Sequence, residues 1–482
     1  MLECVWEIEE VYMTQQINIR NPRNGKIDYQ ITPPTSEQLA QKSTRLRQAQ
    51  INWQQQGISH RIETLQQWKQ AILSQKDRLK EALVNDTGRL SVSILEIDSF
   101  ISSIDRWCRL APDLLSEESK NTAIPFIRLQ SQLVSYPLVG VISPWNFPLL
   151  LSIIDTIPAL LAGCAVIVKP SEIAPRFIQP LLETIAAVPN LNDILTYIEG
   201  AGDTGASLIE LVDLVCFTGS VATGKKVAEA AAKRFIPAFL ELGGKDPAIV
   251  LESADIDLAT SALLWGSVVN TGQSCLSIER IYVQESIFNK FVVKLTEKAA
   301  QLKIAYPTIE SGEIGPIIAE RQAAIIQSHL DDAIQKGAKV HCGGIVEELD
   351  GGFWCRPTVL TQVNHGMKVM TEETFGPIMP IMSFSNIEEA IHLANDSIYG
   401  LSAAVFAAEE GEAIALAQQI NCGAISINDC ALTALIYEGE KNSFKYSGMG
   451  GSRMGDAGIK RFMRKKALLV KTQSIPDPWW FK

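Results

Sequence analysis

Cys275 lies in Asn270-Thr271-Gly272-Gln273-Ser274-Cys275-Leu276, a short polar segment containing one glycine. A helix-like apolar run (Leu263, Leu264, Val268, Val269) precedes it, and the strand-like Ile281-Tyr282-Val283 follows. A cysteine on a loop between two elements is placed to react, whereas one inside an apolar run is placed to pack. Its candidate partners lie elsewhere in the chain. Asn146, in Pro144-Trp145-Asn146-Phe147-Pro148, presents an amide whose N–H groups can stabilise a developing oxyanion. Glu241, in Leu240-Glu241-Leu242-Gly243-Gly244-Lys245, is a carboxylate between apolar neighbours, a setting that suits a general base.

A second set of residues could hold a phosphorylated ligand. Glu172, in Val168-Lys169-Pro170-Ser171-Glu172, follows a strand and can accept bonds from ribose hydroxyls, with Lys169 as a further donor. Phe217-Thr218-Gly219-Ser220 runs from a strand into a helix, where small residues let a pyrophosphate approach the helix N-terminus. The same stretch nearly spells a P-loop, Gly219 to Gly224-Lys225, but Lys226 stands where Ser or Thr should hold magnesium, so an NTPase is disfavoured. Glu373-Thr374-Phe375-Gly376-Pro377 supplies a carboxylate for a ribose and an aromatic ring to flank a flat ligand. Residues 444–450 form another glycine-rich loop.

These loops require a particular scaffold. Residues 36–113 read as mostly helical, opening at Ser36 and keeping helical spacing through Leu65, Trp68, Ile72, Leu79 and Leu83. Strands are then expected at 130–136, 139–143, 165–168, 195–199 and 214–217, with helices at 177–188 and 206–211 between them. A second alternating region, from a strand at 247–250 to about residue 428, is expected to hold helices at 258–269, 287–302, 320–336, 387–395 and 410–420. Strands alternating with helices at this spacing indicate parallel α/β sheets, here in two domains sharing an intimate boundary.

Composition narrows the class. A chain of 482 residues exceeds one ordinary core. The net charge of −11 opposes nucleic acid as a partner, because phosphate binding needs a basic surface. Nine scattered cysteines without a CxxC pair, and five isolated histidines, suit a reducing, cytoplasmic setting with neither a disulfide framework nor a metal site. Residues 1–12 carry four glutamates and no basic residue, unlike a signal peptide, and Met13 is an alternative start to Met1. Residues 149–168 match a membrane span in length, but Asp155 and Pro158 in their middle favour a buried strand, loop and helix.

Taken together and in order, PWNFP, KPSE, FTGS, LELGGK, GQSC, EETFGP and Tyr399-Gly400-Leu401-Ser402 resemble the aldehyde dehydrogenase superfamily, in its NAD(P)-dependent hydrolytic branch. The resemblance runs from about residue 35 to 470, and Glu241 and Cys275 stand 34 positions apart. Two departures fall in the C-terminal loop: Asn442-Ser443-Phe444 replaces a more glycine-rich stretch, and Gly451-Ser452-Arg453 replaces Gly-Arg-Glu.

The resemblance implies an α/β fold with three parts: a Rossmann-like cofactor domain (1–119 and 138–244), a catalytic α/β domain (245–445) and a small β oligomerisation arm (120–137 and 458–475). It implies that Cys275 forms a thiohemiacetal and then a thioester, that Asn146 and the Cys275 N–H hold the oxyanion, and that Glu241 activates the hydrolytic water. By the same resemblance Trp145, Lys169, Glu172, Gly219, Ser220, Glu373 and Phe375 bind the cofactor. NAD is expected, with NADP the alternative, because the Glu172 charge would repel a 2′-phosphate and Lys169 would blunt that repulsion. A homodimer or homotetramer is implied. Transfer of the acyl group to coenzyme A is disfavoured because Glu241 is present.

The residues expected to border the substrate tunnel are Leu149-Leu150-Leu151, Leu276 and the loop 431–444, with no Arg or Lys among the apolar positions. Medium-to-long apolar aldehydes (fatty, aromatic or apocarotenal-like) are therefore expected over semialdehydes and other small aldehydes. Trp479-Trp480-Phe481 offers apolar surface for the tunnel mouth or for peripheral membrane contact.

Overall fold

The structure, a computed structural model, describes residues 16–474; the two candidate start positions and Trp479-Trp480-Phe481 lie outside them. Four helices open the body of the chain, Ser36–Gln55, Gly57–Ser74, Lys76–Thr87 and Ser91–Leu114. Thr35 caps the first. Its hydroxyl accepts from the Gln38 N–H (3.1 Å) while the Gln38 side chain accepts from the Thr35 N–H (2.9 Å), satisfying two donors that helix geometry leaves without partners. Trp53, Trp68 and Trp107 from these helices are fully buried, so the helical spacing in the sequence marks the face turned to the core.

The first sheet has six strands in the order Gly448–Met449, Ala238–Glu241, Leu214–Thr218, Leu138–Ile142, Ala165–Lys169, Leu195–Tyr197. All pair in parallel except the first, which runs antiparallel to Ala238–Glu241. The chain starts at Leu138–Ile142, moves outward to one side and then returns to build the other. A topological switch point therefore lies between Leu138–Ile142 and Leu214–Thr218, where loops leave the strand ends in opposite directions and open a crevice. Pro144-Trp145-Asn146 and Gly219-Ser220 are those loops.

The second sheet has seven strands in the order Lys339–Cys342, Thr358–Thr361, Ile378–Phe384, Ile278–Gln284, Asp246–Val250, Ser402–Phe406, Ala424–Ile427, parallel but for the first. Apolar clusters cover both its faces. A third, antiparallel sheet joins Glu118–Asn121, Ile127–Ser135 and Met463–Lys471.

Most expected elements appear within a few residues of their expected ends, among them Glu320–Gln335 and Ile387–Asn395. The hairpin Ile17–Arg20 with Ile27–Ile31 is not among the expected elements, although Ile-Asn-Ile-Arg and Ile-Asp-Tyr-Gln-Ile alternate as strands do; the two runs are only four and five residues long. Its arginines reach far along the chain, Arg23 donating to the carbonyls of Ala305 (2.9 Å) and Pro307 (3.0 Å).

The stretch 149–168 resolves into the helix Leu150–Ala162 and most of the strand Ala165–Lys169. Asp155 is 1% exposed and pairs with Arg453 (3.3 Å) and Arg461. Among the described residues, no helix is long and apolar enough to cross a membrane. Replacing Asp155 by Ala would leave both guanidinium groups buried without this carboxylate. Asp155→Ala should lose about 3–5 kcal/mol of stability, measured by urea unfolding; a loss no larger than that of a surface Asp→Ala control would show that the buried cluster does not stabilise the fold.

Candidate active site

The strands Ala238–Glu241 and Asp246–Val250 belong to different sheets, and only Leu242-Gly243-Gly244-Lys245 separates them. The crossing segment packs directly on the cysteine loop: a Cβ on Gly244 would come within 2.5 Å of the Cys275 carbonyl oxygen. The loop before Cys275 is tightly wound, with Asn270 (φ 56°), Thr271 (φ 58°) and Gly272 (φ 70°) all in the left-handed region that non-glycine residues avoid. Gly272 has no alternative, since a Cβ there would overlap the Gly376 backbone.

That winding is held by hydrogen bonds. The Asn270 amide donates to the carbonyls of Asn146 (3.0 Å) and Gln273 (2.9 Å), and Arg89 also donates to the Asn146 carbonyl (2.9 Å). The Asn146 side-chain amide donates to the Gln273 carbonyl (3.0 Å), two residues before the thiol. It spends one of its two N–H groups there, and the other remains for a ligand. Asn146 itself is 3% exposed.

One cleft of about 700 Å³ is lined by the ten residues assigned from the sequence to catalysis and cofactor binding, and of the expected tunnel residues by Leu151 alone. Cys275, Glu241 and Asn146 are among the ten that line the cleft. Trp145 and Phe375 lie edge to face across it, ring centroids 5.6 Å apart. Glu373 accepts from the Gly244 N–H (3.0 Å), and burial, then the nearby Glu279 carboxylate, push it up to about 8. Gly219, Ser220, Lys169 and Glu172 line the same cleft, the Gly219 N–H donating to the Glu241 carbonyl (3.1 Å). Ser220 caps the helix Val221–Arg234, its hydroxyl accepting from the Thr223 N–H (3.3 Å). Lys225, the lysine of the near P-loop, lies over the Tyr446 ring at 4.3 Å.

Three expectations need correction. Lys169 is not a free donor: its ammonium bonds to the carbonyls of Gly200 (2.8 Å) and Ala201 (3.2 Å) and stands 3.6 Å from Glu172, tying that carboxylate to the cleft wall. Glu241 is not in an apolar setting. Strand alternation buries Leu240 and Leu242, while the Glu241 carboxylate accepts from Ser443 Oγ (2.8 Å) and faces Arg453 (3.9 Å) and Lys441 (4.0 Å). Leu149 is fully buried in the core, and Leu151 is the residue of that trio that lines the cleft.

Residues 10–468 match the sequence profile of the aldehyde dehydrogenase family. The chain belongs to that family. A solved structure provisionally assigned as the aldehyde dehydrogenase PutA of Anabaena variabilis is 68% identical, with a TM-score of 0.96 over 97% of this chain and all of that one. Betaine aldehyde dehydrogenase of Staphylococcus aureus in complex with NAD+ is 31% identical, with a TM-score of 0.90 over 97% of this chain and 94% of that one. The 4,4'-diapolycopene aldehyde oxidase of a Methylomonas species is 37% identical over 92% of this chain and 84% of its own length.

In this aldehyde dehydrogenase, then, an oxidoreductase of aldehydes, several residues around the site had not been singled out. Arg453 and Ser443 had been read only as departures in the C-terminal loop; the structure brings both to Glu241. Arg453 also donates to Thr218 (2.7 Å) and Asp155, and its Nε is buried with no hydrogen-bond partner. Arg89 and Asn270 give no sequence signal, because their role depends on contacts 57 and 124 positions away.

Burial pushes the Cys275 thiol up to about 12, with the Lys441 ammonium pulling it down. A raised value means that the thiolate is the minor form at neutral pH and grows about tenfold per pH unit. Iodoacetamide alkylation of Cys275 in the cofactor-free enzyme should therefore climb from about pH 7 to 10 without a plateau, with the same steepness but a lower rate at every pH in Lys441→Met. Peptide mass spectrometry reads it; a plateau below pH 9 would show that the thiol is already activated before any ligand binds.

Proposed function

We propose that this aldehyde dehydrogenase oxidises medium-to-long apolar aldehydes, of fatty, aromatic or apocarotenal-like type, to carboxylic acids, with Cys275 as nucleophile and NAD as the preferred cofactor. The observation that carries the substrate reading is the loop 431–444. It delivers Ser443 to the Glu241 carboxylate and leaves Leu435 (62%), Ile436 (54%) and Phe444 (41%) exposed. Apolar side chains left in solvent on a loop that also reaches the reaction centre are suited to cover an apolar ligand. The name of the Methylomonas relative, a diapolycopene aldehyde oxidase, supports the same class.

The cleft chemistry fits a dinucleotide. A carboxylate anchored by an ammonium (Glu172, Lys169) suits one ribose, the N-terminus of Val221–Arg234 with Gly219 and Ser220 suits a pyrophosphate, and Glu373 suits the second ribose. Trp145 and Phe375 suit a flat ring between them and Cys275. The NAD+ named with the Staphylococcus enzyme accords with Glu172 favouring NAD over NADP.

The Cys275 thiolate attacks the aldehyde carbon, and Asn146 Nδ2 donates to the oxygen as it gains charge. The nicotinamide, when bound, supplies hydride acceptance. Glu241, kept beside Ser443 and the Arg453 and Lys441 cations, then takes a proton from water attacking the thioester carbonyl, and the thiolate leaves. Assembly through the Met463–Lys471 arm into a homodimer or homotetramer, with the cofactor domain at 1–119 and 138–244 and the catalytic domain at 245–445, belongs to the same reading. Leu468 and Leu469 are exposed on that arm.

A second reading, oxidation of a small anionic semialdehyde, is favoured by one observation. Lys441, one of the charged residues of the loop 431–444, is 11% exposed, and its ammonium lies 4.0 Å from Glu241. The two readings part on a panel of aldehydes followed by absorbance of the reduced cofactor. Catalytic efficiency should rise with alkyl chain length, each buried methylene adding up to ~0.8 kcal/mol. A preference for succinic semialdehyde that Lys441→Met abolishes would establish the second reading instead.

The roles of the two reacting side chains are separable in time. Cys275→Ala should have no measurable turnover. Glu241→Gln should lose about 10²–10⁴-fold in steady-state rate yet keep one rapid burst of reduced cofactor in stopped flow. Loss of the burst would assign Glu241 to acylation, and unchanged turnover would mean that another group activates the water.

A further inference from the structure

Lys245 and Glu279 form a fully buried ion pair that takes no part in the chemistry described above. Lys245 is 0% and Glu279 2% exposed at the side chain, with Nζ and Oε2 2.6 Å apart. Two charges withdrawn from water are costly unless their remaining hydrogen-bonding capacity is also used. Here it is used on one short turn. Glu279 Oε2 accepts from the Thr374 N–H (2.7 Å) and Oε1 from the Phe375 N–H (2.8 Å), while Lys245 Nζ also donates to Thr374 Oγ1 (2.9 Å). His329 Nδ1 lies 3.2 Å from the same hydroxyl, and Gln322 donates to the Thr374 carbonyl (2.7 Å).

The turn held in this way is strained. Phe375 has φ 53°, left-handed backbone that an aromatic residue seldom adopts without being forced. Its two neighbours at the cleft depend on that conformation: the Phe375 ring meets Trp145, and the Glu373 carboxylate is set against the Gly244 N–H. Lys245 leads directly out of the Gly243-Gly244 pair, and Glu279, four residues after Cys275, is the second residue of the strand Ile278–Gln284. The pair thus connects the thiol loop, the crossing segment and the Glu373–Phe375 turn.

We infer that Lys245 and Glu279 are positioning residues for the cofactor: they hold the Glu373–Phe375 turn in its strained shape and so preorganise the seat of the nicotinamide ribose and ring. The inference rests on the reading of Glu373 and Phe375 as cofactor contacts. An acceptor with two fixed oxygens is needed, because two adjacent N–H groups must be satisfied at once, and Lys245 keeps that buried acceptor neutralised.

The test is the NAD dissociation constant, measured by quenching of tryptophan fluorescence and so independent of turnover, for Glu279→Gln and Glu373→Gln beside the unaltered enzyme. Glu279→Gln keeps the size of the side chain but turns one acceptor into a donor facing Thr374. It should weaken NAD between about tenfold and 10²-fold, leave the KM for aldehyde little changed, and leave alkylation of Cys275 in the absence of NAD unchanged. Should that variant not fold, Lys245→Met/Glu279→Gln, which removes both charges at similar volume, carries the same comparison. Unchanged NAD binding in Glu279→Gln beside weakened binding in Glu373→Gln overturns the inference. Unchanged binding in both overturns the reading of Glu373 as a cofactor contact, and the inference with it. Weakened binding accompanied by altered Cys275 alkylation shows a general disturbance of the site and also overturns the positioning role.

Discussion

Four residues, Leu242 to Lys245, carry the chain from one parallel sheet to the other, and the rest of the site depends on that crossing. The step is possible only because backbone meets backbone there. Gly244 lies where any side chain would strike the Cys275 carbonyl, and Gly272 lies against Gly376 in the same way. Close approach of this kind leaves no room for water or for a compensating shift, so the thiol loop, the strand end bearing Glu241 and the turn bearing Glu373 are set relative to one another by contact. Their side chains then converge on one cleft without needing long, flexible reach.

Around that contact, charge is arranged in buried clusters. Asp155 lies inside a helix whose other positions are nearly all apolar, and its partners Arg453 and Arg461 come from the far end of the chain. Arg453 extends the cluster toward Glu241, and Lys441 and Ser443 close on the same carboxylate from the C-terminal loop. The Glu241 carboxylate is thus surrounded by donors and cations rather than by hydrocarbon. Such an arrangement fixes orientation, because each oxygen has a preferred partner, in a way an apolar pocket would not.

Much of this was legible before any coordinates. The ten cleft residues announced themselves through loops at strand ends, where glycine, proline and a chemically capable side chain occur together. The alternation of apolar runs located both parallel sheets, since strands buried on both faces have nearly uniform hydrophobicity. Less legible were Lys169, whose ammonium is engaged by two carbonyls 31 and 32 positions away, and the first hairpin, whose strands of four and five residues alternate but are short.

By itself, the sequence determined which groups could react and on which kinds of element they stand. Cys275, Glu241 and Asn146 are identifiable because local chain chemistry, a loop after a strand or before one, is written in adjacent residues. Tertiary structure alone decided their surroundings. Whether Glu241 meets leucine or arginine, whether Asp155 is a liability or an anchor, and which charges hold the Phe375 turn are questions of contact between residues far apart in the chain. No local pattern encodes such pairs, because an ion pair needs only that two side chains meet, and folding brings them together from any separation.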